Sequence, residues 1–546
     1  MKELPGKGGP LGQSLLLLAS AILTVLCVGW VLYLSHYGID LTDESFYLVS
    51  MANPFIYSVS STQFGLVYHP LYVLLGGDIA ALRQANVLIT YGLSFALAYA
   101  FLLKEFDGQV LGSKEKVVLS AGLATTALAT SVFAGLWLPT PSCVAGWILI
   151  AVGGWLTFLA KPTSAAVLML CAGVYLIAAR KFSFRWVAVS AGLAVGLTIS
   201  FGILIDGSLT AFIARLEGGV NVGKTLEGGH TVWNILRVDS FHLGSKVKTL
   251  LINSTLIFFV AAFLVKSKNN GLRWGGWALS IGFVAAACLL MFDGWPDVLG
   301  YGHFHGLLLW SIPYAAVILL AAMHGSQGIG VVLRERWPFA LTFLILPYAY
   351  AIGTSNNYWI LSSQAGIFWV LVGLVFLRPL HQDKQIASSF LVLCLAVQLI
   401  VVAVVQAAVE RPYRQPQPLR QQIYPLAIGG VNSQLFVPEG FGRYLTSIGE
   451  LAKRAGFQAG TPMIDLSGVS PGVPYFLGAM SVGQAWVIGG YPGSNRLAME
   501  MQKMAACRDL AAAWLLVEPN GVARISPEIL LKFGANLATD YTMVGA

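Results

Sequence analysis

From Ser14 to Leu34 the chain runs without a single acidic or basic residue, longer than the ~20 residues an α-helix needs to cross the hydrocarbon core of a bilayer. In hydrocarbon the backbone must satisfy its own hydrogen bonds, so a chain with several such runs has to fold as a bundle of helices. Hydrophobic residues make up 56% of the 546 positions and charged ones only 11%, which excludes an ordinary soluble globule. No small-residue cleavage site follows the first run, so it reads as a retained span.

Five of the six cysteines, Cys27, Cys143, Cys171, Cys288 and Cys394, lie within apolar runs, and Cys507 falls in a water-soluble segment. No disulfide framework or paired-cysteine metal site is implied. The net charge of +8 does not point to nucleic acid, because the basic residues form short clusters between apolar runs. These are Lys2/Lys7, Lys104/Lys114/Lys116, Arg180/Lys181/Arg185, Lys266/Lys268/Arg273, Arg334/Arg336 and Arg378/Lys384. The positive-inside rule makes them cytoplasmic.

Roughly 10–12 spans are expected on hydropathy, including spans near 186–205, 249–265, 274–292, 305–323, 338–353, 358–377 and 387–408. One stretch breaks the alternation: three apolar segments, 117–136, 141–159 and 163–179, lie between two clusters that both belong inside. An even number is required there. Pro139, Pro141 and Lys161-Pro162 make a partial or re-entrant segment one solution.

Residues 1–408 thus read as a polytopic membrane domain, and 409–425, rich in Pro, Arg and Gln, as an extended linker. Residues 426–546 read as a small α/β domain on the extracytoplasmic face. Within it Tyr444–Ala455 and Ala498–Ala513 have helical spacing, and Met463–Leu466 and Ala485–Ile488 resemble short strands.

Chemistry is concentrated just after the first span. Asp40, Asp43 and Glu44 open a loop with no Lys or Arg from His36 to Leu82, and ionised groups at a membrane must be solvated, paired or used. Three motifs follow in order: Asp43-Glu44-x-x-Tyr47, then Tyr68-His69-Pro70-Leu71-Tyr72, then Ala81-Leu82-Arg83. This order resembles the first outer loop of the GT-C superfamily of membrane glycosyltransferases, in particular the branch of protein O-mannosyltransferases and the lipid A aminoarabinose transferase. The middle motif lacks the second Pro of that branch. The likeness covers residues 36–83, the remaining spans only by general pattern, and the tail hardly at all.

The resemblance implies a GT-C-like multispan fold and inverting transfer of a sugar from a polyprenyl-phosphate carrier to an acceptor hydroxyl. Asp43, matching the family's catalytic Asp, would take the acceptor proton; the phosphate leaves without a general acid, so one base suffices. Asp40 and Glu44 are expected either to orient Asp43 or to bind sugar hydroxyls. Tyr47 is expected to be scaffold. His69 is a substrate donor or only a turn residue, and Arg83 pairs with the lipid phosphate or with the acidic loop. Lys161, in Phe158-Leu159-Ala160-Lys161-Pro162, resembles a Lys motif of the superfamily or is a snorkelling interfacial residue. Asn356 and Asn357, at an outer span end, bind sugar or pyrophosphate or cap a helix. The basic loop 206–248 (Arg215, Lys224, His230, Arg237, His242, Lys246, Lys248) is a lipid-phosphate site or a surface for anionic headgroups.

No fixed metal-ligand set is visible; His303 and His305 near Asp293 and Asp297 form only a weak one. No cofactor is expected, and the metal question stays open, since the resembled branch works without a divalent cation while others use one. The expected partners are the polyprenyl-linked donor, a lipid, glycan or protein acceptor and membrane lipids, without nucleic acid. The compact loops suggest a bacterial inner membrane. Readings from other classes are a lipid or polyol transporter, and a scaffold of envelope polysaccharide assembly acting through its tail. A transporter would place its ionisable groups near mid-membrane in two similar halves, a pattern this chain lacks.

Overall fold

The computed structural model describes residues 9–57, 62–106, 111–129, 144–226, 244–293, 305–353, 358–382, 386–430 and 433–545. The chain is predominantly helical. In order the helices are α1 (Gly9–Leu34), α2 (Asp43–Ala52), α3 (Phe64–Leu74), α4 (Ile79–Glu105), α5 (Ser113–Ala124), α6 (Val144–Ala160), α7 (Pro162–Ala178), α8 (Phe184–Asp206), α9 (Leu209–Leu226), α10 (Ser245–Leu264), α11 (Asn270–Asp293), α12 (Ser311–Glu335), α13 (Trp337–Ala351), α14 (Tyr358–Ser362), α15 (Ile367–Leu377) and α16 (Ile386–Glu410). Among the described residues seven helices are long and apolar enough to cross a membrane, and five more apolar helices are shorter, of 10–17 residues. The protein is a multispan helical membrane protein.

α16 is the central helix. It is apolar on every side and mostly buried, as expected of a helix surrounded by other helices. Near its middle the amide of Gln398 is fully buried and satisfied: Nε2 donates to the Ser20 carbonyl at 3.0 Å and to Thr24 Oγ1 at 2.8 Å, and Oε1 accepts from Ser20 Oγ at 3.2 Å. That network ties α16 to α1, where an unpaired amide would be costly.

Of the segment 117–136, residues 117–129 are described. α5 ends at Ala124 and tightens into a 3₁₀ turn over Thr125–Ala129; residues 130–143, with Pro139 and Pro141, lie outside the described residues. The turn between α6 and α7 is held against the start of α3, with Thr62 Oγ1 donating to the Ala160 carbonyl at 2.7 Å and Gln63 N to that of Leu159 at 3.0 Å. Lys161 therefore sits at the same end as the acidic loop.

α4 links the two ends of the bundle. Its first turn carries Arg83 beside the acidic loop, and its last residue, Glu105, pairs with Arg378 at 2.9 Å and Arg336 at 3.6 Å. Arg336 and Arg378, from two of the expected basic clusters, meet on this one carboxylate.

After α16 the chain forms two small sheets: antiparallel β1 (Tyr424–Ala427) and β2 (Gln434–Val437), and a parallel sheet in the order β4-β3-β5, with β3 (Pro462–Asp465), β4 (Met480–Ser481) and β5 (Trp514–Leu516). Helices α17 (Glu439–Arg454), α18 (Gly472–Leu477), α19 (Ser494–Lys503) and α20 (Cys507–Ala511) lie between the strands. Two expectations need correction. Ala485–Ile488 is irregular and the partner strand is Met480–Ser481; the helix expected over Ala498–Ala513 is two helices, because the chain breaks between Lys503 and Cys507.

This segment is not a separate bead on a linker. Its Leu426, Leu435, Val437, Leu445 and Val473 share one core with Ile39, Leu48, Val49, Tyr68 and Ile79 of the first loop. Backbone bonds fasten the two: Gly38 N to the Phe436 carbonyl at 2.7 Å, Phe436 N to that of His36 at 2.8 Å, Gly430 N to that of Gly77 at 2.9 Å and Gly472 N to that of Leu41 at 3.0 Å.

Candidate functional site

The acidic loop folds around two fixed carboxylates. Asp40, 7% exposed, accepts at Oδ2 from the backbone N–H of Asp43 (2.9 Å) and Glu44 (3.3 Å), and at Oδ1 from Thr42 N (3.1 Å) and Thr42 Oγ1 (2.6 Å). It thus satisfies the orphan donors at the start of α2, which is capping work. Glu44 accepts a two-toothed bond from Arg83, Nε to Oε1 at 2.7 Å and Nη2 to Oε2 at 2.8 Å.

The rest of the Arg83 fork reaches the carbonyls of Ser35 (2.8 Å), Tyr37 (3.1 Å) and Gly38 (2.9 Å). A guanidinium has five N–H donors, and these five bonds use them all. Of the two expectations for Arg83, pairing with the acidic loop is what the geometry shows; no donor is left for a phosphate. Asp40 and Glu44 likewise hold the loop.

Asp43 differs from both. It is the first residue of α2, its side chain is about half exposed, and its ion partner is Arg414, at 3.5 Å. Arg414 also donates to Thr42 Oγ1 and lies over the Tyr413 ring. Partial burial raises the Asp43 carboxyl above its ordinary pKa. Arg414 opposes that rise, the Asp40 charge adds to it, and the Tyr413 hydroxyl, acting on the same carboxylate, lowers it again. Arg414 holds a left-handed backbone, φ 55°, a conformation that costs a non-glycine residue energy. The residues expected to be an extended linker are thereby seated over the carboxylate.

Two flanks lead away from Asp43 along α2, because Phe46, Tyr47 and Ser50 follow at intervals of three, four and seven residues and share its face. On one flank Tyr47 packs edge-on against Phe64 at 4.8 Å and neighbours Tyr350. Lys161 Nζ donates to the Tyr350 carbonyl at 2.8 Å and stands 5.1 Å from the centre of its ring. Burial brings the Lys161 ammonium down to about 8. On the other flank Phe46 faces Trp486, ring centres 6.2 Å apart. Gly65 makes the α2–α3 approach feasible, since a Cβ there would lie 2.5 Å from the Ser50 carbonyl oxygen.

His69 is engaged by the backbone at the end of α2. Its Nδ1 lies 2.7 Å from the Met51 carbonyl, which can only accept, so Nδ1 carries the proton. The bond ties the end of α2 to α3. Within the basic loop, Arg215 is buried and bound to Asp206, Nε to Oδ2 at 2.9 Å, and also donates to the Tyr57 carbonyl. Lys224, Lys246 and Lys248 are exposed. Asn356 and Asn357, His230, Arg237, His242, Asp297 and His303 lie outside the described residues, as do the side chains of Asp293 and His305. Among the described residues no cluster of three metal-binding side chains occurs. Sequence reasoning missed Tyr413, Arg414, Tyr350, Gln63 and Trp486; only the aromatic and basic character of Tyr413-Arg414 beside the prolines offered a signal.

No family model, curated protein or solved structure matches this chain. The site therefore rests on its own geometry.

Proposed function

We propose that the protein is an inverting membrane glycosyltransferase of GT-C type that moves a sugar from a polyprenyl-phosphate carrier to an acceptor hydroxyl, with Asp43 as the general base. The observation that carries this reading is the division of labour among three adjacent carboxylates. Asp40 and Glu44 are fixed by four and three hydrogen bonds respectively, whereas Asp43 projects half exposed from the helix they anchor. Raised by burial, its carboxylate is a better proton acceptor than a fully solvated one.

In the reaction the acceptor oxygen attacks C1 of the sugar while Asp43 removes its proton. The C1–O bond to phosphate breaks and the electron pair leaves with the phosphate. Lys161, half-buried across Tyr47 and Tyr350, is the cation placed to stabilise that departing charge. The gathering of Glu105, Arg336 and Arg378 at the far end of the bundle supports a cytoplasmic basic end. The acidic loop and residues 424–545 then face the outer side of the membrane, in a bacterial cell the periplasmic face of the inner membrane.

The test is transfer of radiolabelled sugar from a panel of polyprenyl-phosphate sugars to membrane acceptors, comparing wild type with Asp43→Asn, with and without chelator. Label transfer that disappears in the variant, at equal protein level, supports the assignment. Normal transfer by Asp43→Asn sinks it.

A further inference from the structure

Arg414 takes its left-handed backbone, φ 55°, at the third position of a turn that the Gln415 N–H closes onto the Pro412 carbonyl at 3.2 Å. A positive φ at that position alone is the mark of a type II turn, and glycine or asparagine is the residue that adopts it without strain. An arginine there is a costly way to reverse a chain, and strained residues of this kind gather at clamps and switches. Its side chain gives the reason for the choice, since the guanidinium reaches Thr42 Oγ1 and the Asp43 carboxylate. We infer that the Pro412–Gln415 turn is a self-inhibitory latch: closed, it keeps Asp43 out of use, and its tip must swing away before a substrate hydroxyl reaches the carboxylate. The inference rests on the proposed role of Asp43 as the base.

The feet of the latch are fixed and its tip is lightly held. On one side Arg411 N donates to the Ala407 carbonyl at 3.0 Å, continuing α16, and Glu410 accepts from Gln406 Nε2 at 2.7 Å. On the other Arg420 donates to the carbonyls of Met291 and Phe292 and lies over the Trp30 ring. The fully buried Gln422 donates to Gln415 Oε1 at 2.8 Å and to the Gln417 carbonyl at 3.1 Å. Between these anchors Tyr413 and Arg414 are exposed. Among the described residues no backbone bond joins this tip to α2; the Arg414 guanidinium and the Tyr413 hydroxyl make the contact.

A permanent pair is built differently a few ångströms of chain away. Glu44 and Arg83 meet two-toothed at 2.7 and 2.8 Å, whereas Arg414 meets Asp43 through one nitrogen at 3.5 Å, with both side chains close to half exposed. So exposed a pair adds little to stability, and the left-handed backbone opposes it, so the closed state is held by a small margin. That margin suits a part that opens. While closed, the latch weakens the base in two ways. Arg414 and the Tyr413 hydroxyl both favour the ionised carboxylate, against the rise that burial causes, and a carboxylate so favoured is a poorer proton acceptor. The phenol also acts on the carboxylate from the place an acceptor hydroxyl needs, since a base takes a proton only from hydrogen-bond reach.

The experiment labels carboxylates of the full chain in detergent with a water-soluble carbodiimide and glycine ethyl ester, and reads Asp43 against the capped Asp40 by mass spectrometry. Sugar transfer is measured in parallel, at a pH above the acidic limb of every variant. Arg414→Gly removes the guanidinium and gives the turn the residue it favours. It should raise both Asp43 labelling and transfer about 2- to 5-fold, the factor an exposed ion pair of this kind represents, with a melting temperature no lower than wild type. Tyr413→Phe leaves the turn intact and should raise both by less. Arg414→Lys, which keeps the charge without the planar fork, should fall between wild type and Arg414→Gly. Labelling and transfer unchanged in Arg414→Gly and Tyr413→Phe overturn the inference, as does transfer lowered by Arg414→Gly in a folded protein, which makes Arg414 a participant in the reaction. In both cases transfer that still depends on Asp43 leaves the glycosyltransferase reading standing. Asp43 labelling freed by Arg414→Gly in a protein that transfers no sugar does the reverse, keeping the latch and removing that reading.

Discussion

At the two ends of α4 the same pair of residue types meets under opposite conditions. At its last residue one carboxylate, Glu105, 5% exposed, is shared by Arg336 and Arg378; at its first turn one guanidinium, Arg83, is met by a loop with three carboxylates. At the basic end the acid is outnumbered and its charge is fully engaged in holding helices together. At the loop end acids are in excess: Asp40 caps α2, Glu44 takes Arg83, and Asp43 is left with the longer contact to Arg414 at 3.5 Å. Residue type does not distinguish a fixed carboxylate from a half-exposed one. The balance of local partners does.

Asp43→Asn should break this contrast most severely, lowering transfer about 100- to 10,000-fold, the range for loss of a general base, while thermal stability measured in detergent stays close to wild type. Glu105→Gln should do the opposite. It leaves two guanidinium groups without their acid and is expected to cost about 3 kcal/mol, as when one partner of a buried pair is removed. Its signature is a lower melting temperature and lower yield, with turnover per folded molecule retained. If Glu105→Gln instead spares stability and abolishes turnover, the assignment of the basic end as structural is wrong.

Asp40→Ala lies between the two. Loss of the α2 cap should cost about 1 kcal/mol and misplace Asp43, so both stability and transfer fall; a change in neither dissociates the cap from the base.

Arg414→Gln sharpens the loop-end comparison through pH. A base must be deprotonated, so activity rises with pH through the Asp43 pKa. Arg414 holds that pKa down against burial, so removing it moves the acidic limb of the rate profile to higher pH. An unmoved limb in that variant would detach Asp43 from the titration.

Asp465 tests the C-terminal segment alone. Burial raises its carboxyl to about 6, above the unfolded value near 3.8. Between those values the folded state holds the extra proton, so stability falls as pH rises through the window and the penalty is fully present above it. Asp465→Asn, which keeps an acceptor for Ser467, should therefore raise the melting temperature at pH 8 and leave it nearly unchanged at pH 4.

Much of the membrane architecture was legible in the chain. Apolar runs and basic clusters anticipated α8, α10, α11 and α16 closely, because hydrocarbon imposes one length and one composition on any helix that crosses it. The odd segment at 117–136 was recognisable as a fault in the alternation, but the end of α5 within it was not legible, being set by the tight turn at Thr125–Ala129 and by packing against α1, α4 and α16. In the tail, amphipathic α17 was legible from its spacing, while Met480–Ser481 was not, because a two-residue strand is defined by its partner, Pro462–Met463.

The sequence by itself determined that this protein is a membrane bundle with its carboxylates concentrated in one loop after the first span, because burial of apolar length and solvation of charge are local demands. Which of three neighbouring acids stays half exposed was decided by tertiary structure. Glu44 is engaged by an arginine 39 positions away and Asp43 is met by one 371 positions away. Partners so distant in the chain are brought together only by packing, and a carboxylate's pKa and reach depend on what is packed against it.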